Sequence, residues 1–162
     1  RLGHQWESDQ IDIFHEHPGT LMCYSALQSL RARLRPVSET APIALGGGPE
    51  GDPYCLSNEL IELTLHNEGW RVHKLGANTP LASFSKAIEE LKPRLIWLSV
   101  SHLVNSEQFL DEYDKLYSNA EKAGAVVVIG GQALSSEIRS QMMYTFFGDG
   151  LRQLTAFVQH QV

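Results

Sequence analysis

Asp52, Tyr54 and Ser57 stand within one short stretch, GGGPEGDPYCLSNEL (46–60), which has the outline of a ligand-binding loop between a strand and a helix. Two further stretches have a similar outline: SVSHL (99–103), with Ser101 and Leu103, and IGGQ (129–132), with Gly130 and Gly131. A fourth, WESDQIDIFHEH (6–17), carries Trp6 ten positions before Glu16 and His17. The chemistry these residues offer is recognition. Glycine lets the backbone approach a ligand closely. A phenol with a pKa of about 10 must lose its proton before it ligates a metal well, so Tyr54 is a poor metal ligand at neutral pH. Asp52 can accept a hydrogen bond from that phenol or cap the helix that follows. No nucleophile with an adjacent base and no paired carboxylates are legible, which argues against an enzyme. Of the scattered histidines, His17 and His102 are the candidates as ligands. Taken singly, each glycine loop also reads as a plain turn, and Trp6 with Glu16 as a core tryptophan before a solvated helix start.

The loops need a frame that carries them to one edge. From residue 42 onward short apolar runs alternate with amphipathic stretches, the pattern that forces crossovers and a parallel sheet covered on both faces. The predicted strands are 42–47, 71–76, 94–100, 125–131 and 144–148, and the predicted helices 56–68, 80–92, 106–123, 133–141 and 149–160. This is an α/β, flavodoxin-like, doubly wound five-stranded parallel sheet. Ligands of such sheets bind beyond the carboxyl ends of the strands, so all three glycine or serine loops would open on one rim. Upstream, PGTLMCYSALQSLRARL (18–34) places Leu21, Tyr24, Leu27, Leu30 and Leu34 on one helical stripe, with Arg31, Arg33 and Arg35 at the carboxyl end, where cations favour the helix dipole. Pro18 marks a start or a bend. Such a helix cannot hide its own apolar face, so we expect it to be buried against other helices or a second copy of the chain, a homo-oligomer. The expected organisation is a remnant of a helical bundle over 1–35, a linker over 36–41, and the α/β domain over 42–162.

Composition narrows the function. A length of 162 residues with 43% hydrophobic and 20% charged residues suits a globular domain plus an appendage. A net charge of −6 disfavours contact with a nucleic-acid backbone, so DNA would be reached only through a segment absent from this chain. Consistent with that expectation, the sequence opens RLGHQWESD without methionine and reads as a fragment of a longer protein. Cys23 and Cys55 have no spacing that suggests a disulfide framework or zinc site, and read as reduced thiols of a cytoplasmic protein. No apolar run reaches the roughly 18–20 residues that span a bilayer, so no membrane role is expected.

Together the loops resemble the cobalamin-binding domain of methionine synthase, mutases and cobalamin-dependent regulators, whose signature is Asp-x-His-x-x-Gly, then Ser-x-Leu, then Gly-Gly after successive strands. Here DPYCLS (52–57), SHL (101–103) and the pair Gly130 and Gly131 stand at those places, across about 120 residues. The resemblance implies that Ser101, Leu103, Gly130 and Gly131 shape a pocket for the nucleotide tail of cobalamin, with Ser99 competing with Ser101 in another alignment. It also shows two departures: the cobalt-ligating histidine is replaced by Tyr54, and the last glycine of the first motif by Ser57. In the family Asp52 would orient that histidine. The Trp-x9-Glu-His spacing of Trp6, Glu16 and His17 resembles the helical-bundle motif of light-sensing, MerR-type cobalamin-dependent repressors, where these residues cover the upper, adenosyl face of the corrin. Those repressors can carry a histidine directly after the tryptophan, as a cobalt ligand after photolysis; that position here is Glu7.

The resemblance implies a sensory domain that binds adenosylcobalamin and controls transcription through a DNA-binding part. The replaced ligand leaves three readings: cobalamin held by its tail with a lower cobalt face that is empty, hydrated or ligated by another histidine; haem or another tetrapyrrole, for which tyrosinate is an iron ligand; or an oligomerisation module that binds no cofactor. A corrinoid carrier of a methyltransferase fits less well, because it needs a controlled lower ligand.

Overall fold

The computed structural model describes the backbone of residues 13–161 and the side chains of residues 18–161. Trp6 and Glu7, and the side chains of Glu16 and His17, lie outside the described residues. The chain divides into two compact units, Arg1–Arg35 and Pro36–Val162.

In the first unit, helix α1 spans Ile13–Arg31 with Pro18 inside it, so the helix does not begin at the proline. Proline there removes a single ladder bond, the one its missing N–H would make to the carbonyl of Phe14, and the turn before it is still close to the helix start. Leu27 is buried and Tyr24 and Leu34 are half-buried, whereas Leu21 is 65% exposed and Leu30 53%.

The second unit is the expected sheet. Its strands are β1 (Ile43–Pro49), β2 (Arg71–Thr79), β3 (Leu95–Ser99), β4 (Val126–Gly130) and β5 (Phe146–Phe147). All are parallel, in the order β2-β1-β3-β4-β5. The winding therefore reverses between β1 and β3, which is where doubly wound sheets leave a crevice for ligands. Its helices are α2 (Leu56–Asn67), α3 (Leu81–Leu91), α4 (Ser106–Lys122), α5 (Ser136–Arg139) and α6 (Leu151–Val158).

Period-two alternation assigns the two faces. On β3, Ile96 and Leu98 join Leu81, Phe84 and Ile88 of α3 and Phe109, Tyr113 and Leu116 of α4 in one core. Leu95 and Trp97 point to the opposite face and pack with Ala44, Leu65 of α2, and Leu154 and Val158 of α6. β3 is buried along its whole length, as a central parallel strand covered on both sides must be.

Two segments are shorter than the sequence predicts. Helix is expected over 133–141, but Ala133 N–H donates to the Val100 carbonyl and Leu134 N–H to that of Gly131, so the chain turns in and buries Leu134 before α5 can start. β5 is only two residues long, because the Thr145 side chain takes the ladder bond from Val127 N–H. Tyr113 ties α4 to the segment before β5 by donating its hydroxyl to the Met143 carbonyl at 2.6 Å, and burial raises its phenol pKa. Among the described residues no helix is long and apolar enough to cross a membrane.

α4 runs beside the loop after β3 and starts at Asn105, whose side chain accepts from Gln108 N–H at 3.1 Å. Removing that cap leaves an amide of the first turn without its partner. Asn105→Ala should lower stability by about 1 kcal/mol, read as a shift of the urea midpoint without a change in slope. An unchanged midpoint would show that water replaces the cap at no loss.

Candidate functional site

β1 ends at Pro49, and the chain then turns back, with Asp52 N–H donating to the Pro49 carbonyl. Asn78, at the end of β2, braces the turn: its Oδ1 accepts from Gly51 N–H at 2.8 Å, and its own N–H donates to the Asp52 carbonyl at 2.9 Å. These contacts carry the Asp52 side chain into the interior, where it is 0% exposed. There Oδ1 accepts from Tyr54 N–H at 3.0 Å, while Oδ2 accepts from Ser101 N–H at 2.6 Å and His102 N–H at 3.2 Å. A buried carboxylate is stable only when its oxygens are satisfied, and backbone amides do that here.

Asp52 therefore neither accepts from the Tyr54 phenol nor caps α2, whose first turn starts at Cys55 without a side-chain bond. It is a clasp between the loop after β1 and the loop after β3.

Beside the clasp, between α2, α6 and the carboxyl ends of β3 and β4, lies a cavity of about 230 Å³. Ser57, Ser101, Gly130 and Gly131 all line it, so three segments distant in sequence converge on one space. Ser99, the competing serine, lines it as well, and its hydroxyl donates to Ser57 Oγ at 2.9 Å. Trp97, Val128, Ile61 and Leu154 supply apolar surface. The Trp97 indole N–H donates to Asn58 Oδ1 at 3.1 Å, which satisfies its only polar atom. This ring also explains a glycine of β1: a Cβ on Gly46 would stand 2.1 Å from the Trp97 ring. Gly130 permits another close approach, since a Cβ there would lie 2.7 Å from the Gly148 carbonyl oxygen in the loop before α6.

The remaining predicted residues lie elsewhere. Leu103 packs against the α3 and α4 core and lines a different depression, of about 300 Å³, with Glu50, Val104 and Glu112. Tyr54 is 42% exposed on the rim, and His102 is exposed on the neighbouring loop. Among the described residues there is no group of three or more His, Cys, Asp or Glu side chains able to hold a metal ion. The lining of the cavity is largely apolar, and position 54 carries a phenol and no imidazole.

Trp97, Asn58, Asn78 and Leu154 shape the site but do not stand out in the sequence. The one available signal was size matching: a tryptophan in an apolar strand, LIWLS, beside a strand with three consecutive glycines, Gly46, Gly47 and Gly48.

No family model matches this chain. It is 30% identical over 142 residues to the HTH-type transcriptional repressor CarH of Myxococcus xanthus, a match that covers 83% of this chain and 44% of CarH. It is 27% identical over 133 residues to the HTH-type transcriptional repressor CarA of the same organism, covering 81% of this chain and 44% of CarA. The chain thus spans less than half the length of these relatives. Among solved structures, the monomethylamine corrinoid protein of Methanosarcina barkeri matches with a TM-score of 0.82 over 99% of this chain and 76% of that one, at 15% identity. A cobalamin-binding protein from Desulfitobacterium hafniense DCB-2 matches with a TM-score of 0.67 over the same shares, at 17% identity. At such identities the likeness establishes the fold.

Proposed function

We propose that this chain is the corrinoid-binding, sensory part of a cobalamin-dependent transcriptional regulator, and that the cavity beside the Asp52 clasp holds the nucleotide tail of the corrinoid. The observation that carries this reading is the convergence of Ser57, Ser101, Gly130 and Gly131, each at a motif position, on one cavity. Two comparisons support it: the fold is that of a corrinoid protein, and the relatives named as repressors are similar over more than four-fifths of this chain. When bound, the corrinoid would supply its cobalt chemistry, and adenosylcobalamin is the form the Trp6, Glu16 and His17 spacing favours. The chain's own residues position and enclose. Ser57, Ser99 and Ser101 offer hydroxyls, the apolar lining excludes water from the tail, and Asp52 holds two rim loops together.

The role in transcription is drawn from the relatives. With a net charge of −6, this part of the protein would act on DNA indirectly. The exposed Leu21 and Leu30 of α1 suit contact with further helices or a second copy of the chain.

Titration of the purified chain with adenosylcobalamin, methylcobalamin and haemin, followed by absorbance, tests the reading. A saturable corrinoid spectrum supports it. Binding of haemin alone would transfer the site to haem, with Tyr54 as the candidate iron ligand. Binding of none at micromolar concentration would leave an interaction module.

Affinity in this reading comes from enclosure of the tail and not from a metal bond. Tyr54→Phe should therefore change the corrinoid dissociation constant by no more than about twofold. Tyr54→His should add an imidazole and shift the corrinoid spectrum. Loss of binding in Tyr54→Phe would make the phenol a ligand after all.

A further inference from the structure

The rim carries a second concavity besides the tail cavity. The depression of about 300 Å³ between the loops after β1 and β3 and the start of α4 has Leu81, Leu103 and Phe109 as its floor, with Glu50 exposed and Glu112 half-buried at its edge. It adjoins the Asp52 clasp, because Gly51 and Leu103 line it and are the chain neighbours of Asp52 and His102. Glu112 accepts from Gln108 Nε2 at 2.8 Å through one oxygen, and among the described residues neither glutamate is paired with a cation. The rest of the rim has the same sign. The loops after the five strands, 50–55, 80, 100–105, 131–135 and 148–150, hold Glu50, Asp52 and Asp149 and no lysine or arginine. Arg152, just beyond the last of them, belongs to α6, which walls the tail cavity instead.

We infer that Glu50 and Glu112 make this rim select a tetrapyrrole by the charge of its periphery, taking one edged with neutral amides and rejecting one edged with carboxylates. The inference rests on the corrinoid reading above and deepens it. A ligand whose tail fills the cavity brings its macrocycle to the adjoining rim. The side chains of a corrin end in primary amides, whose N–H groups donate to carboxylate oxygens. A porphyrin such as haem carries propionates instead. A carboxylate beside Glu50 and Glu112 meets like charge, and no cation in the rim loops offsets it.

The probes are cobalamin, its monocarboxylic acids, in which one propionamide is hydrolysed to a carboxylate on an otherwise unchanged corrin, and haemin. Each is dialysed to equilibrium against the unaltered chain and against the double variant Glu50→Gln, Glu112→Gln. Glutamine keeps an acceptor oxygen at each position and removes the charge. On the unaltered chain at low salt, at least one monocarboxylic acid should bind about tenfold or more weakly than cobalamin, and haemin should bind more weakly than cobalamin. The gap between cobalamin and that acid should close in the double variant and narrow at high salt, because screening acts on repulsion between charges and not on fit. Monocarboxylic acids that all bind as cobalamin does, a gap that salt or the double variant leaves unchanged, or haemin that binds as tightly as cobalamin would each overturn the charge selection and leave the corrinoid reading intact. Failure of cobalamin to bind would remove the corrinoid reading, and the inference with it.

Discussion

Gly131→Ala is expected to destabilise the α/β unit by more than about 3 kcal/mol, a large part of the 5–15 kcal/mol that holds a domain of this size together. Two costs add. The backbone at Gly131 has φ +118°, a region that L side chains rarely adopt and that costs about 1–3 kcal/mol to impose. A Cβ would also stand 2.1 Å from the Val100 carbonyl oxygen and 2.5 Å from its carbonyl carbon. Those are backbone atoms at the exit of β3, so relief requires the strand end and the loop bearing Ser101 to move. Gly124 provides the control: its φ is +71°, but nothing lies within 4 Å of an added Cβ, so Gly124→Ala meets the conformational cost alone, about 1–2 kcal/mol. Urea unfolding of the two variants side by side separates strain from clash. If Gly131→Ala loses no more stability than Gly124→Ala, the tight approach of Gly131 to Val100 is not a constraint. The same comparison bears on function, since a variant that folds with a displaced Val100 also displaces the cavity wall.

What the sequence made legible here was periodicity and local loop chemistry. Central strands such as LIWLS and VVVIG, buried on both faces, are continuous apolar runs, and their boundaries fell within a residue or two of expectation. The convergence of Ser57, Ser101, Gly130 and Gly131 followed from the fold, because a doubly wound sheet carries every loop after a strand to one rim. Contacts between loops were not legible. The Asp52 carboxylate binds amides 49 and 50 positions away, and a backbone amide has no sequence signature. Leu103 follows Ser101 by two positions, yet it serves the opposite core, because the turn after β3 sends its side chain toward α3 and α4. Pro18 reads as a helix start or a bend from propensity alone, and the start is not what forms, because propensity is a weak prior where a helix has residues on both sides to continue it.

The Asp52 clasp carries the second large effect. In Asp52→Asn one carboxylate oxygen becomes an amide NH₂. Whichever way the side chain turns, that group then faces at least one backbone N–H, Tyr54 on one side or Ser101 and His102 on the other. A donor against a donor forfeits the charge-assisted bonds and leaves buried amides without partners, an expected loss of about 2–4 kcal/mol. The domain should remain folded, because none of the core residues is touched, but the loop after β3 is released from the loop after β1. Hydrogen exchange at the Ser101 and His102 amides should then accelerate strongly, while the amides of β3 and β4 keep their protection. Corrinoid affinity should fall by at least about tenfold, because Ser101 lies on one loop the clasp holds and Ser57 in the first turn of the helix that follows the other, and a displaced wall loses enclosure of the tail. Asp52→Glu distinguishes position from charge: it keeps both oxygens but adds a methylene in a site with no exposure, so it should also lose affinity, though with less exchange at Ser101 than the amide. Unchanged exchange at Ser101 and His102 in Asp52→Asn would mean that the two loops hold their places without the carboxylate, and that the order of this rim comes from the glycine packing at Gly130 and Gly131 instead.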